Sequence, residues 1–232
     1  MVMDAEPVKQ SRRDQAAAPS LRERGKDERR TRLIRAARQL IAENAGGHFS
    51  MQELAARGGF SLATPYNLLG SKLDILHAVF RAEEDGFQKT TIKFHRGGPV
   101  ESVIMTVETL IAVIIRNANF YRGIARAISR LSTDDFRATI LPISDSLFRP
   151  LVDGLIEDGA IVAQIAPAVI SAHLLRIFNS TFFMWAALEW DDKAFFHEMK
   201  SGFAICFLGL FDEPNRQLLL RVLEEKPEML RS

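Results

Sequence analysis

The sequence predicts an all-α chain in two parts, a head of short helices followed by a larger body of longer ones. Three observations carry this. Apolar residues recur at helical spacing, and no run alternates in the manner of a half-buried strand. Serine-led helix starts and glycine stops follow each other closely between positions 44 and 71. Charge is divided as well: residues 1–96 hold 17 Lys and Arg against 12 Asp and Glu, a net +5, whereas residues 97–232 hold 13 against 17, a net −4.

Residues 1–26 combine Ala, Gln, Ser, Arg and Asp with Pro7, Pro19 and Gly25 and show no apolar period, so a disordered basic arm is expected. From Asp27 the pattern changes. Leu33, Ile34, Ala37, Leu40 and Ile41 fall on one helical face, with Arg29, Arg32, Arg35 and Arg38 on the other, and the helix stops at Asn44–Gly47. Ser50 with Glu53 three residues on makes a capping box for a second helix, which ends at Gly58–Gly59. Ser61 is read as the cap of a third, short helix to about Leu69, which places Pro65 at its fourth position. Ser71 with Asp74 starts a fourth, whose apolar residues are Leu73, Ile75, Leu76, Val79 and Phe80.

Four helices over 27–88, with a glycine-containing turn between the second and third, have the spacing of a helix-turn-helix. The basic excess is densest from Lys9 to Arg38, with 11 basic residues against four acidic ones, which points to an anionic partner for the front of the chain. A linker at His95–Pro99 follows. Beyond it, helices are expected at 100–116, 120–131, 140–158 (kinked at Pro150), 167–190, 192–211 and 215–225. The stretch 100–116 is rich in Val and Ile, but its length favours a helix over a strand.

Composition excludes several classes. The chain is 232 residues long, 47% hydrophobic and 25% charged, as a globular protein with a sizeable core would be. One cysteine, Cys206, rules out an internal disulfide and fits a reducing, cytoplasmic setting. No secretory h-region is visible, and the longest apolar run, 203–211, is about half of a membrane span, so no membrane partner is expected. There is no Gly-rich phosphate loop, no nucleophile motif and no Cys/His cluster, and the "HEMK" at His197 lacks the second histidine of a zinc motif. Hence no catalytic residue, cofactor or metal is expected.

The segment Arg30 to Phe80, with "AARQLIAENAGGHFSMQELAARGGFSLATPYNLLGSKLDILHAVF" at its heart, resembles the DNA-binding domain of the tetracycline-repressor (TetR) family. The shared features are a glycine-ended first helix, a serine-started second helix with a Leu-Ala pair and a Gly-apolar-Ser turn. A Thr-x-Tyr recognition helix and a Ser-Lys pair before an acidic residue complete the match. The resemblance implies an all-α regulator with a recognition helix at 61–68. It makes Leu62, Ala63, Thr64, Tyr66 and Asn67 DNA-facing, Ser50, Met51 and Gln52 the start of the supporting helix, and Lys72 a phosphate-binding lysine. Two departures stand out: Leu69 replaces a common aromatic, and Leu62 and Ala63 are apolar where base-reading side chains are expected, leaving methyl contacts, Thr64, Asn67 and DNA shape to give specificity.

The body, 97–232, is expected to bind a small molecule and to dimerise. Residues 167–190 are apolar almost all round, and a helix without a polar face needs burial on both sides. Together with 192–211, where Gly202 and Gly209 fall on one face, they would form a four-helix interface between two copies, as the resemblance also implies. His173, Arg176 and Asn179 interrupt the apolar helix and are the candidates for orienting an effector's polar group. The reading is therefore a ligand-responsive repressor that binds a palindromic double-stranded DNA operator as a homodimer and leaves it on binding a small, largely apolar effector. A helix-turn-helix DNA-binding protein without ligand control and an all-helical enzyme are the other classes considered.

Overall fold

The structure is a computed structural model; it describes residues 20–44, 47–91, 97–132, 134–135, 147–162, 164–188 and 190–224. Among these residues there are ten α-helices and one isolated antiparallel bridge, Ile161 to Phe211. The head is formed by α1 (Leu21–Glu43), α2 (Met51–Gly58), α3 (Ala63–Leu69) and α4 (Lys72–Thr91). The body contains α5 (Pro99–Arg116), α6 (Ala118–Ile128), α7 (Arg149–Glu157), α8 (Pro167–Leu188), α9 (Asp192–Leu208) and α10 (Glu213–Glu224).

Local signals set the head. The backbone N–H of Glu23 donates to Ser20 Oγ at 3.2 Å while Ser20 N–H donates back to the Glu23 carboxylate at 2.7 Å. This capping box starts α1 at Leu21, six residues before the expected Asp27. The arm read as 1–26 is thus corrected at its end, and residues 1–19 lie outside the described residues. Ser50 and Glu53 make the expected box at α2, which closes on Gly59 in the left-handed region, φ 70°. Ser71 and Asp74 do the same for α4.

The expected cap at Ser61 is corrected: Leu62 holds the N-cap position of α3 and makes no side-chain cap bond. Pro65 consequently sits at the third helical position, where its missing N–H removes no intrahelical bond. Pro150 is corrected in the same sense. It lies in the first turn of α7 instead of kinking a longer helix, and residues 140–146 of that expected helix lie outside the described residues.

In the body, α9 packs between α8 and α5, α6 lies on α8, and α10 closes against α9 and α5. Phe120, Phe148, Trp185, Phe195, Phe203 and Phe207 are fully buried, and edge contacts such as Phe148 on Phe203, with ring centroids 5.1 Å apart, tie the layers together. Asp191 caps α9, accepting from Ala194 N–H at 2.7 Å. Head and body share one core, because α1 lies along α6 and α4 meets α5. The seam is tight. A methyl group on Gly47 (φ 66°) would overlap the Gly123 carbonyl, and one on Gly123 would lie 2.6 Å from the Ile41 carbonyl oxygen. Beside it the Arg130 guanidinium donates to the His48 ring.

Candidate functional site

Two sites emerge, one on the head surface and one beneath it. On the head, α3 is only seven residues long, yet it presents Leu62 and Tyr66 at 49% and 51% exposure. Ala63 and Asn67 are exposed beside them, so four residues at i, i+1, i+4 and i+5 share one open face. Pro65 and Leu69 are buried underneath. The Arg30 guanidinium donates to the Leu68 carbonyl at 2.5 Å, fastening the end of α3 to α1. Thr64 is half-buried, and its hydroxyl lies 3.0 Å from that of Ser61.

Ser50 and Gln52 are exposed at the start of α2, while Met51 is half-buried and packs against the core. Lys72 is exposed in the first turn of α4, its Nζ 4.9 Å from the centre of the Phe49 ring. Of the α1 arginines, Arg32 lies over Phe60 and Arg29 donates to the Gly25 carbonyl. Arg38 is half-buried and is engaged by α4 and by the start of α6.

Arg38 leads to the second site. Its Nε donates to Glu83 Oε1 at 2.7 Å, its Nη2 to Asn117 Oδ1 at 3.3 Å, and its guanidinium lies 4.3 Å from the Phe120 ring centre. The Tyr121 hydroxyl donates to the other Glu83 oxygen at 2.6 Å. Burial, and then the negative charge of Glu83, push the Tyr121 phenol well above its ordinary range, so it remains a donor. Glu83, Phe120 and Tyr121 of this group wall a cavity of about 80 Å³. From α4 it takes Phe80, Glu83, Glu84 and Phe87, from α6 Phe120, Tyr121, Ile124 and Ile128, and from α8 Leu175, Phe178, Asn179, Phe182 and Phe183. Burial also raises Glu84, with the neighbouring Asp85 adding to the shift.

Of the three polar residues singled out on α8, Asn179 lines this cavity; His173 and Arg176 do not, and are exposed. The reason is helical phase: Leu175, Phe178, Asn179 and Phe182 form the inner stripe, and His173 and Arg176 fall on the outer one. That outer stripe carries Val169 (58% exposed) and Leu188 (60%), with Ile205 of α9 at 62%, an apolar surface that the single chain leaves open. Gly202 faces inward: a methyl group there would lie 2.7 Å from Ile177 of α8, while Gly209 ends α9 with open space around it. Among the described residues no group of His, Cys, Asp and Glu could hold a metal ion.

The cavity wall on α4 was missed from sequence, although a signal exists. Phe80, Glu83, Glu84 and Phe87 stand at i, i+3, i+4 and i+7, a two-ring, two-carboxylate stripe on one helix face.

No protein-family model matches the chain, and no curated protein sequence matches it. Solved structures do match in fold. A TetR-family transcriptional repressor, FadR of Thermus thermophilus in complex with lauroyl-CoA, is 17% identical over 79% of this chain and 96% of its own, with a TM-score of 0.64. RolR in complex with resorcinol is 15% identical over 88% and 98%, with a TM-score of 0.63. SmeT, the repressor of the Stenotrophomonas maltophilia multidrug efflux pump SmeDEF, is 13% identical over 80% and 92%, with a TM-score of 0.60. The chain has the all-α fold of TetR-family transcriptional regulators.

Proposed function

We propose that the chain is a ligand-responsive transcriptional regulator, a repressor that binds a palindromic DNA operator as a homodimer and leaves it when a small, largely apolar effector enters the body. Residues 27–88 act as the DNA-binding domain and 97–232 as the ligand and dimer domain, and the protein works in the cytoplasm. The observation that carries this reading is the reach of one helix. α4 begins with Lys72 beside the open face of α3 and continues to Phe80, Glu83, Glu84 and Phe87 on the cavity wall. A change at the cavity therefore has a rigid route to the head.

Leu62, Ala63, Tyr66 and Asn67 enter the major groove, while Ser50, Gln52 and Lys72 meet the phosphates of the flanking backbone. Two copies join through 167–190 and 192–211, covering Val169, Met184, Leu188 and Ile205. Two of the similar structures hold small molecules, lauroyl-CoA and resorcinol, which supports an effector site in a body of this shape. Among the described residues no helix is long and apolar enough to cross a membrane.

The test is selection of operator fragments from random duplexes, followed by fluorescence anisotropy on the best one. Lys72→Ala should weaken binding to every sequence and lower the salt slope by about one. Asn67→Ala should relax preference at one operator position by about 1–3 kcal/mol. Sedimentation of the free protein at low micromolar concentration should give a dimer. Selection that enriches no sequence would end the regulator reading, and a stable monomer would end the two-fold one.

A further inference from the structure

We infer that the effector is an aromatic cation, and that it acts by competing with Arg38 for Glu83. The inference rests on the regulator reading above and names its ligand class. Among the described residues, the charged groups lining the cavity are two carboxylates, Glu83 and Glu84, set in a wall rich in phenylalanine rings. A buried ligand charge is tolerated only where an opposite charge meets it. An anion would face two carboxylates, whereas a cation gains a carboxylate partner and the faces of several rings. Burial raises the Glu84 carboxyl, and a ligand cation would relieve that cost.

Glu83 has a second task. Within the head it holds Arg38 of α1 at 2.7 Å, and towards the body it accepts from the Tyr121 hydroxyl of α6, while the same Arg38 reaches Asn117 beside α6. One carboxylate thus serves both the cavity wall and the clasp on α1. A ligand amidinium that pairs with Glu83 takes the place of the Arg38 guanidinium, and α1 loses its charged hold on α4, the helix that carries Lys72 to the surface. Because coupling is reciprocal, weakening the clasp must strengthen ligand binding by the same factor.

The test compares benzamidine with neutral benzamide and anionic benzoate, by calorimetry on the full-length protein. Benzamidine should bind at least tenfold tighter than either. Arg38→Met should tighten benzamidine several-fold and leave benzamide unchanged, and Glu84→Gln, half-buried in the wall, should weaken benzamidine alone. Equal binding of the three probes overturns the inference, as does an Arg38→Met protein that folds by circular dichroism but binds benzamidine no better. If Arg38→Met does not fold, the probe series and Glu84→Gln decide the ligand class, and benzamidine titrated into the wild-type protein on its operator decides the release. Benzamidine that binds without weakening operator affinity overturns the competition. Absence of operator binding in the ligand-free protein is a separate result, which ends the regulator reading and leaves the calorimetry to decide the ligand class.

Discussion

The head and the body are built by different means. α1, α2 and α4 each begin with a reciprocal serine–carboxylate pair, and α2 ends on a left-handed glycine. In the body α5, α6 and α7 begin without any side-chain cap, and stacked and edge-on rings hold the layers together; α9 and α10 have aspartate caps, Asp191 and Asp212. Helix length does not explain the difference, because the capped α1 and α4 run 23 and 20 residues and the uncapped α6 and α7 only 11 and 9. The head's helix ends are specified residue by residue, whereas packing sets those of the body, whose contacts leave room for a cavity. A surface that reads another molecule gains from the first arrangement, and a chamber that admits one gains from the second.

This contrast can be broken at its strongest point first. Phe203→Ala, in the fully buried ring cluster of α9, should cost about 3–5 kcal/mol in urea unfolding. A loss below about 1 kcal/mol would mean that aromatic packing does not hold the body. Arg30→Met should cost about 1.5–3 kcal/mol by removing the charged hydrogen bond to the Leu68 carbonyl. It should also weaken operator binding more than its stability loss explains, since α3 loses its tether; unchanged affinity in anisotropy would detach Arg30 from that role. Ser50→Ala should cost about 1 kcal/mol in the same urea unfolding, the usual worth of an N-cap; an unchanged midpoint would show that the box does not set the start of α2.

The smallest effect is on pH. Hydrogen bonds from the Ser50 backbone and hydroxyl hold Glu53 below the usual carboxylate range, and those from Ser71 do the same for Asp74. Their folded values lie below the unfolded ones, so the stabilisation is complete above about pH 5 and is lost as pH falls through the folded values. The double variant Glu53→Gln, Asp74→Asn should flatten the acid side of the melting profile. An unaltered acid limb would show that the caps work without their charge.

The head was legible because its signals are local. Ser50 and Glu53, or Ser71 and Asp74, specify a helix start within four residues, and Gly59 specifies a stop. The box at Ser20 and Glu23 was equally visible but was masked by the surrounding charge and by Gly25. The cavity wall and the Arg38 contact behind it were not legible as a unit. Arg38, Glu83 and Tyr121 come from three helices, 45 and 38 residues apart along the chain, and nothing local announces that they meet. Polar residues on α8 were the natural guess, yet only packing against α6 decides that Asn179 faces inward and His173 outward. Gly202 was legible as a place of close helix approach, and its missing side chain admits Ile177 of α8.

The seam at Gly47 and Gly123 carries an implication for inheritance. Neither position has room for one extra carbon, and one lies in the head while the other lies in the body. A head of this type transplanted onto a foreign body would dock only where α6 offers a glycine in register with the α1–α2 loop. Halves that change independently must still pass this shared fitting unchanged. A library of grafted heads, sorted for soluble expression, should therefore divide according to the residue opposite Gly47.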